Sequence, residues 1–557
     1  MKQHARNRWL VLGIVLLVLT LVLPSTAMAD GPDLRTVTVV STNDLHGALV
    51  GSVQSFSHGD MVGGADWVAG YLNIVRQENP DGVLYLDAGD MMQGTLISNY
   101  FYGASTIDAF NHMGLAAMTI GNHEFDWGQE VLQERYDQAD FPFLGANIFY
   151  KKKNGNPDYG HGGRPHWAKP YIVREVNGIK VGIIGIANPE TPSITNPTNV
   201  ANLMFTDPVQ AVYNVLPEAE AEGATMIVVD AHLGGFYNSD THSVEGEITD
   251  LACGLDPDKV DLIISGHTHS RLDDVICGIP VVQAYSSGTA FARVDFSVDA
   301  QTGEAVSYNM NSSPITTYQT YYGNPATYQR WDTGEQVEVV PDPEVQAIVN
   351  TYAEQIDALK NEVIGYTTAP LSRNSCGESV MGDWVTDIMR AYDPSIDFAF
   401  TNSGGLRVDL NAGDITFGQV FEVMPFDNTL VTATVNGEQL KKVLEEGVGP
   451  GTKYCGGTLL HGIIQVSGLK FDWDASQPLY NRVSNVRYYD DTPVDLSPTA
   501  TYTIAVNDFM ASGGDDYPTL PTLSQNNTYT IIRDIMVDWV KANSPFDPPA
   551  LSGRIMP

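Results

Sequence analysis

Seven side chains in this sequence have the types and spacing of a two-metal site: Asp44, His46, Asp90, Asn122, His232, His267 and His269. They fall in five clusters: Asn43-Asp44-Leu45-His46-Gly47, Gly89-Asp90, Gly121-Asn122-His123-Glu124-Phe125-Asp126, Ala231-His232 and Gly266-His267-Thr268-His269. Each cluster follows a short apolar run that reads as a β-strand. Imidazole and carboxylate together suit zinc, manganese or iron better than calcium, which takes oxygen alone. A carboxylate such as Asp90 can bridge two ions. Two ions can activate a water and stabilise the oxygens of an in-line displacement at phosphorus. The chemistry implied is metal-dependent hydrolysis of a phosphate ester. A single strand-end histidine is ordinarily a hydrogen-bonded loop residue, but that reading does not account for seven such residues in ordered clusters.

Clusters so far apart converge only if strand ends gather at one edge, as they do in a parallel α/β sheet. Val37–Val40, Val83–Asp87, Ala117–Ile120, Val181–Ala187, Met226–Asp230, Leu262–Ser265 and Pro280–Gln283 are β-rich runs. Helical patterns at Ala65–Gln77, Thr106–Met113 and Pro208–Ala221 alternate with them. This predicts a layered α/β domain whose sheet is covered on both faces. Asp44 and His46, like His267 and His269, are two apart, which in an extended segment points both side chains to one face. From Asp342 to Glu362 a polar helical stretch opened by Pro341 and Pro343 reads as a connector. Beyond it lie a helix at Val380–Ala391 and strands near Phe398–Thr401, Thr429–Val435 and Thr501–Val506. The expected division is a leader to residue 29, a first domain over 30–335, a connector over 336–365 and a second α/β domain over 366–557.

A chain of 557 residues with 43% apolar content has room for two or three cores. Lys2, Arg6 and Arg8 precede an apolar run from Trp9 to Leu23, and Ala27-Met28-Ala29 offers a cleavage pattern. This predicts a secreted protein starting near Asp30; the alternative, an uncleaved anchor, needs a longer apolar run. Cys253, Cys277, Cys376 and Cys455 allow three pairings. Cys253–Cys277 and Cys376–Cys455 are favoured because each pair falls within one expected domain. A net charge of −37 argues against a nucleic-acid polymer or an anionic membrane as partner. A small anionic substrate then needs local positive charge from metals and a few arginines. The sequence has no C-terminal apolar anchor, so no membrane attachment is expected in the mature form.

The ordered motifs N-D-x-H-G, G-D, G-N-H-E, H and G-H-T-H resemble those of the calcineurin-like metallophosphoesterases. Gly121-Asn122-His123-Glu124-Phe125-Asp126 is similar to the 5′-nucleotidase/UDP-sugar hydrolase branch. The resemblance implies a layered β-sandwich flanked by helices and a following nucleotide-binding domain. It also implies a ligand split: Asp44, His46 and His269 on one ion, Asn122, His232 and His267 on the other, and Asp90 bridging. The ions expected are zinc or manganese, with iron, cobalt or magnesium as alternatives. His123, held by Asp126, is implied to stabilise the transition state or protonate the leaving group; Asp126 as a cap of the following helix is the other reading. The likeness continues through Asn402-Ser403-Gly404-Gly405-Leu406-Arg407, Pro425-Phe426 and Asn507–Asp515. It implies that Phe426 and Phe509 sandwich a base, Asp515 binds ribose hydroxyls, and Asn402 and Arg407 contact the nucleotide. One departure stands out. The segment Glu378-Ser379-Val380-Met381-Gly382-Asp383 has Val380 where the family has asparagine. Arg373 is the nearest arginine to the family's phosphate-binding position, so the phosphate grip is weaker or built differently. The leading expectation is a secreted 5′-nucleotidase. A 2′,3′-cyclic-nucleotide phosphodiesterase/3′-nucleotidase, a UDP-sugar diphosphatase, or an inactive nucleotide- or metal-binding protein are the alternatives.

Overall fold

The computed structural model describes residues 33–557 except 55, 161, 239–240, 312 and 450–461. The expected leader and Cys455 lie outside the described residues. In strand Leu34–Thr42, Val37 and Val39 enter one apolar cluster while Val40 enters another. That alternation repeats in Ile179–Ile186, where Val181 and Ile183 face one way and Ile184 and Ile186 the other. The two inner faces meet each other. The first domain is therefore a sandwich of two sheets, not the one covered sheet read from the strand runs alone.

The first sheet carries Leu34–Thr42, Val83–Asp87, Ala117–Thr119 and Phe143–Leu144 in parallel. Antiparallel Ala290–Asp299 and Ala305–Met310 extend it on the other side. The second carries Ile179–Ile186, Met226–Ala231, Leu262–Ile264 and Ile279–Ala284 in parallel. Tyr171–Val176 and Arg271–Ile276 form its antiparallel edges. Helices cover both outer faces, Ala65–Glu78 and Ala104–Met113 on the first sheet and Pro208–Ala221 and Glu247–Gly254 on the second. Cys253 and Cys277 are bonded, and Cys376 is disulfide-bonded as well.

The connector is a helix, Pro343–Lys360, started by Asp342, whose carboxylate accepts from the amides of Glu344 and Val345. It packs on helices Ala65–Glu78 and Ala104–Met113 of the first domain and on Phe417–Val423 of the second. Phe421 of the second domain is buried in the same apolar cluster as Ile356 of the connector, so the two domains are docked. The second domain has a five-stranded sheet in the order Gln465–Ser467, Phe398–Thr401, Thr501–Asn507, Thr429–Asn436, Ser524–Ile531. Helices Val380–Ala391 and Ile532–Asn543 pack in one apolar cluster against it, and Gly437–Glu446 packs in the other. Among the described residues no helix is long and apolar enough to cross a membrane.

Candidate active site

The parallel strands end at one edge of the sandwich, and the metal-ligating residue types follow those ends. Ligand atoms of Asp44, His46 and His269 lie within 4.8 Å of one another, and those of Asp90, His232 and His267 form a second such group. Asn122 Oδ1 stands 3.2 Å from His232 Nε2, which places it with the second group. His232 Nε2 is 3.0 Å from Asp90 Oδ2, and His269 Nε2 is 3.4 Å from Asp44 Oδ1.

The local geometry differs from the extended segments expected. Asp44, His46, Asp90, His267 and His269 all have left-handed backbones, with φ of 49°, 51°, 54°, 73° and 48°. Loop closure explains the difference. Asp44 N donates to the Gly89 carbonyl and His46 N to the Asp90 carbonyl, each at 2.9 Å, so two loops join edge to edge beyond the strands. Gly121 is required beside them: a Cβ there would lie 2.3 Å from Asp90 Oδ1.

The donor set fits divalent ions. His46 Nδ1 donates to the Gln93 carbonyl and His232 Nδ1 to the Ala88 carbonyl, each at 2.7 Å. That turns Nε2 of each ring inward; at His232 burial opposes a charge, but Asp90 outweighs it and raises the pKa to about 10, so ligation there would displace a proton. Burial, aided by neighbouring imidazoles, holds His46 well below the usual imidazole range and pulls His267 down to about 4. Both rings are neutral at pH 7, as ligation requires. Burial pushes the Asp44 and Asp90 carboxyls up, but His269 beside the first and His232 beside the second outweigh it, so both stay ionised. Deeper in, burial raises Asp87 to about 7 and Asp230 well above the carboxylate range.

Next to these groups, His123 Nδ1 donates to Asp126 Oδ2 at 2.7 Å, which turns Nε2 outward. Burial opposes a charge on His123, but Asp126 and Asp90 outweigh it and raise its pKa. Asp126 does not cap the next helix, whose N-cap is Trp127. From the second domain, the Phe426 ring stacks on His123 at 5.7 Å and 25°. Arg407 Cζ lies 5.9 Å from the Phe426 centroid, within reach of the charges of Asp90, Asp126 and Asp44. Arg533 holds the turn that carries Phe426, pairing with Asp427 at 2.6 Å and donating to the Phe426 carbonyl at 3.3 Å. Across the interface, Asn99 Nδ2 donates to the Pro425 carbonyl at 2.8 Å. Asn402 Nδ2 donates to Asp515 Oδ2 at 2.6 Å, and a Cβ on the adjoining Gly514 would meet the Phe509 ring at 2.2 Å. Asn402, Phe509 and Asp515 thus form one wall. Arg373 pairs with Asp409 at 2.9 Å and donates to the Leu406 carbonyl at 3.1 Å, beside Arg407.

Residues 37–271 match the model of the calcineurin-like phosphoesterases, and residues 360–522 match that of the 5′-nucleotidase C-terminal domain. The chain belongs to the 5′-nucleotidase family of calcineurin-like phosphoesterases. It is similar to the crystal structure of the 5′-nucleotidase precursor from Thermus thermophilus, with 28% identity and a TM-score of 0.75. That match covers 94% of this chain and 99% of the other. Protein UshA of Yersinia enterocolitica is 27% identical over 92% of each chain. Endonuclease YhcR of Bacillus subtilis is 27% identical over 88% of this chain, which spans 38% of that relative's length. The matched phosphoesterases are a family of metal-dependent hydrolases that use two divalent ions, and two candidate metal groups are present here.

Several residues that hold this family site in place went unread in the sequence. Glu124 is buried and accepts from the backbone amides of Asp90, Met91 and Gly121 at 2.9, 2.9 and 2.8 Å. It belongs to the run Gly121–Asp126, where an acid next to a histidine is the signal the sequence offers. Asn43 reaches Asp44 Oδ2 at 2.6 Å and the Tyr285 carbonyl at 2.7 Å. Gln93, in a loop, and Asn99, at the end of the short helix Leu96–Asn99, carry no motif of their own, and only the fold brings them to the site.

Proposed function

We propose that this protein is an extracytoplasmic 5′-nucleotidase. The observation that carries the reading is the meeting of Arg407 and Phe426 from the second domain with His123 and the metal-ligand groups of the first. One domain supplies chemistry, the other recognition, and a nucleoside 5′-phosphate is a substrate with one end for each. In this reading Asp44, His46 and His269 would hold one ion and Asn122, His232 and His267 the other, with Asp90 available to both. Zinc or manganese suits that donor set best. When bound, the pair would supply Lewis-acid stabilisation of the phosphoryl oxygens and a water made nucleophilic at neutral pH.

The chain's own groups do the rest. Arg407 grips the phosphoryl group, with Arg373 beside it adding positive charge. Asn402 and Asp515 take the ribose hydroxyls, and Phe509 offers a face to the base. Phe426 is assigned the opposite face of the base, in a position that also covers His123. Water adds to phosphorus as the bond to the 5′-oxygen breaks, and His123 Nε2 gives its proton to the departing oxygen. Nucleoside and phosphate are released. The leader ending at Ala29, the paired cysteines and the strong negative charge support an extracytoplasmic setting.

The test is phosphate release from 5′-AMP after chelation and after zinc or manganese is restored. Metal-restored release is the expected result. Hydrolysis of a 2′,3′-cyclic nucleotide to a nucleoside monophosphate, or of UDP-glucose to UMP and glucose 1-phosphate, with no phosphate from 5′-AMP, would replace this substrate with that one. No hydrolysis of any of them would reject the enzymatic reading of the substrate pocket.

A further inference from the structure

Asp126 has two carboxylate oxygens, and the His123 ring takes only one. The other, Oδ1, accepts from the Thr195 hydroxyl at 2.9 Å. Thr195 is 2% exposed and closes the short helix Thr191–Ile194, its amide donating to the Thr191 carbonyl at 3.1 Å. The residue before it acts on the same site: the Ile194 carbonyl accepts from Asn122 Nδ2 at 3.2 Å. Four residues further on, Asn199 Nδ2 donates to the carbonyls of Phe125 and Asp126 at 2.8 and 3.1 Å. The segment is itself anchored. The Thr191 hydroxyl donates to the Asn188 carbonyl at 2.6 Å, and both residues are fully buried. On its other side, Thr191–Ile194 packs on the second-domain turn Gly514–Asp516, which carries Asp515.

A carboxylate held at one oxygen can swing about its bond to Cβ, and an imidazole tied to it then loses its aim. A donor on the second oxygen removes that freedom. We propose that Thr195 is a positioning residue for ester cleavage, fixing Asp126 and through it His123, on a segment that bears on the nucleoside-binding turn of the second domain. The inference rests on the assignment of His123 as the group that protonates the departing oxygen. Thr195 touches no reacting atom. Its effect is on how often the His123 proton points at the leaving group, and it should appear mainly where that proton is needed.

The experiment uses the full metal-loaded chain with Thr195→Val, Thr195→Ala and Thr195→Ser, on 5′-AMP and on p-nitrophenyl phosphate. The nucleoside is a poor leaving group that needs the proton, whereas p-nitrophenolate leaves with little help. Thr195→Val should lower kcat on 5′-AMP about tenfold, the loss of one hydrogen bond to a charged group, with KM within about twofold. On p-nitrophenyl phosphate the loss should stay below about threefold, and Thr195→Ser should restore the 5′-AMP rate to within about twofold. In an Asp126→Asn background, Thr195→Val should add almost nothing. Thr195→Ala carries the same expectations should the valine variant not fold. An unchanged 5′-AMP rate, equal losses on both substrates, or failure of serine to rescue would overturn the proposal. If the wild-type chain cleaves another alkyl phosphate and not 5′-AMP, the substrate assignment fails. The Thr195 comparison then runs on that ester with the same criteria.

Discussion

Replacement of Arg407 tests whether the second domain takes part in the chemistry or only selects the nucleoside. Arg407 stands at the end of the Asn402–Arg407 segment with its guanidinium toward Asp90, Asp126 and Asp44. Burial lowers its pKa while those carboxylates oppose the fall, so at pH 7 it is a charged, half-buried donor. Its contact with the protein is slight, a 3.4 Å approach to the Gly404 carbonyl, so truncation costs the fold little. A hydrogen bond to a charged group contributes about 1.5–3 kcal/mol, and about 1.4 kcal/mol is a factor of ten. Arg407→Ala should therefore lower kcat/KM roughly 10- to 150-fold. Arg407→Lys keeps the charge but not the fork, and should recover only part of the loss. Initial rates on 5′-AMP and on p-nitrophenyl phosphate decide the matter, because both carry the phosphoryl group and only one carries a nucleoside. Comparable losses on both substrates are expected. A loss below about threefold on 5′-AMP would refute the phosphoryl contact. A loss confined to KM for 5′-AMP would show that Arg407 holds the nucleoside instead.

Phe509→Ala should raise KM for 5′-AMP roughly tenfold, since stacking contributes about 1–3 kcal/mol per base, and leave p-nitrophenyl phosphate unaffected; equal effects on both would refute its role as a base platform. Glu124→Gln places an amide where three backbone N–H groups need a carboxylate, and metal titration should show about 10- to 100-fold weaker binding, as for other groups that orient ligands. Asp273 is pushed up to about 8 by burial alone. From about pH 4 to pH 8 the unfolded chain ionises this group while the folded chain keeps its proton. Stability present at low pH is lost across that window, by at most about 1.4 kcal/mol per pH unit. Asp273→Asn should flatten the fall of Tm between those pH values, and an unchanged slope would refute it.

The elements were legible where one period dominated. Val83–Asp87, Pro208–Ala221, Val380–Ala391 and Phe398–Thr401 have the bounds their patterns predict. The second sheet of the sandwich was not legible from strand runs alone. An inner face such as Val37 and Val39 has the same alternation whether it meets a helix or another sheet. The antiparallel edges Tyr171–Val176 and Arg271–Ile276 were also missed, because half-exposed strands with charged residues lack a continuous apolar run. Within the site, residue type identified the groups that could bind metal. It did not identify Gln93, Asn99, Thr195 or Arg533, ordinary polar residues whose role comes from where the fold puts them.

The left-handed backbones at five of the metal-ligating residue types explain why the spacing was readable while its geometry was not. Asp-x-His reads as strand alternation, yet Asp44 and His46 turn past the end of the strand. A left-handed conformation costs a non-glycine residue about 1–2 kcal/mol, so such a cluster persists only where its surroundings enforce it. Here the enforcement is visible. Asp44 and His46 donate their amides to the Asp90 loop, and the Asp44 carbonyl accepts from Ser287 at 2.8 Å. Glu124 then collects the amides of Asp90 and Met91. The three loops constrain one another. That arrangement accounts for a sequence signature in which six of the seven candidate ligands, all but His232, have a glycine or a small polar neighbour. The residues beside the ligands hold the turns, and the turns aim the ligands.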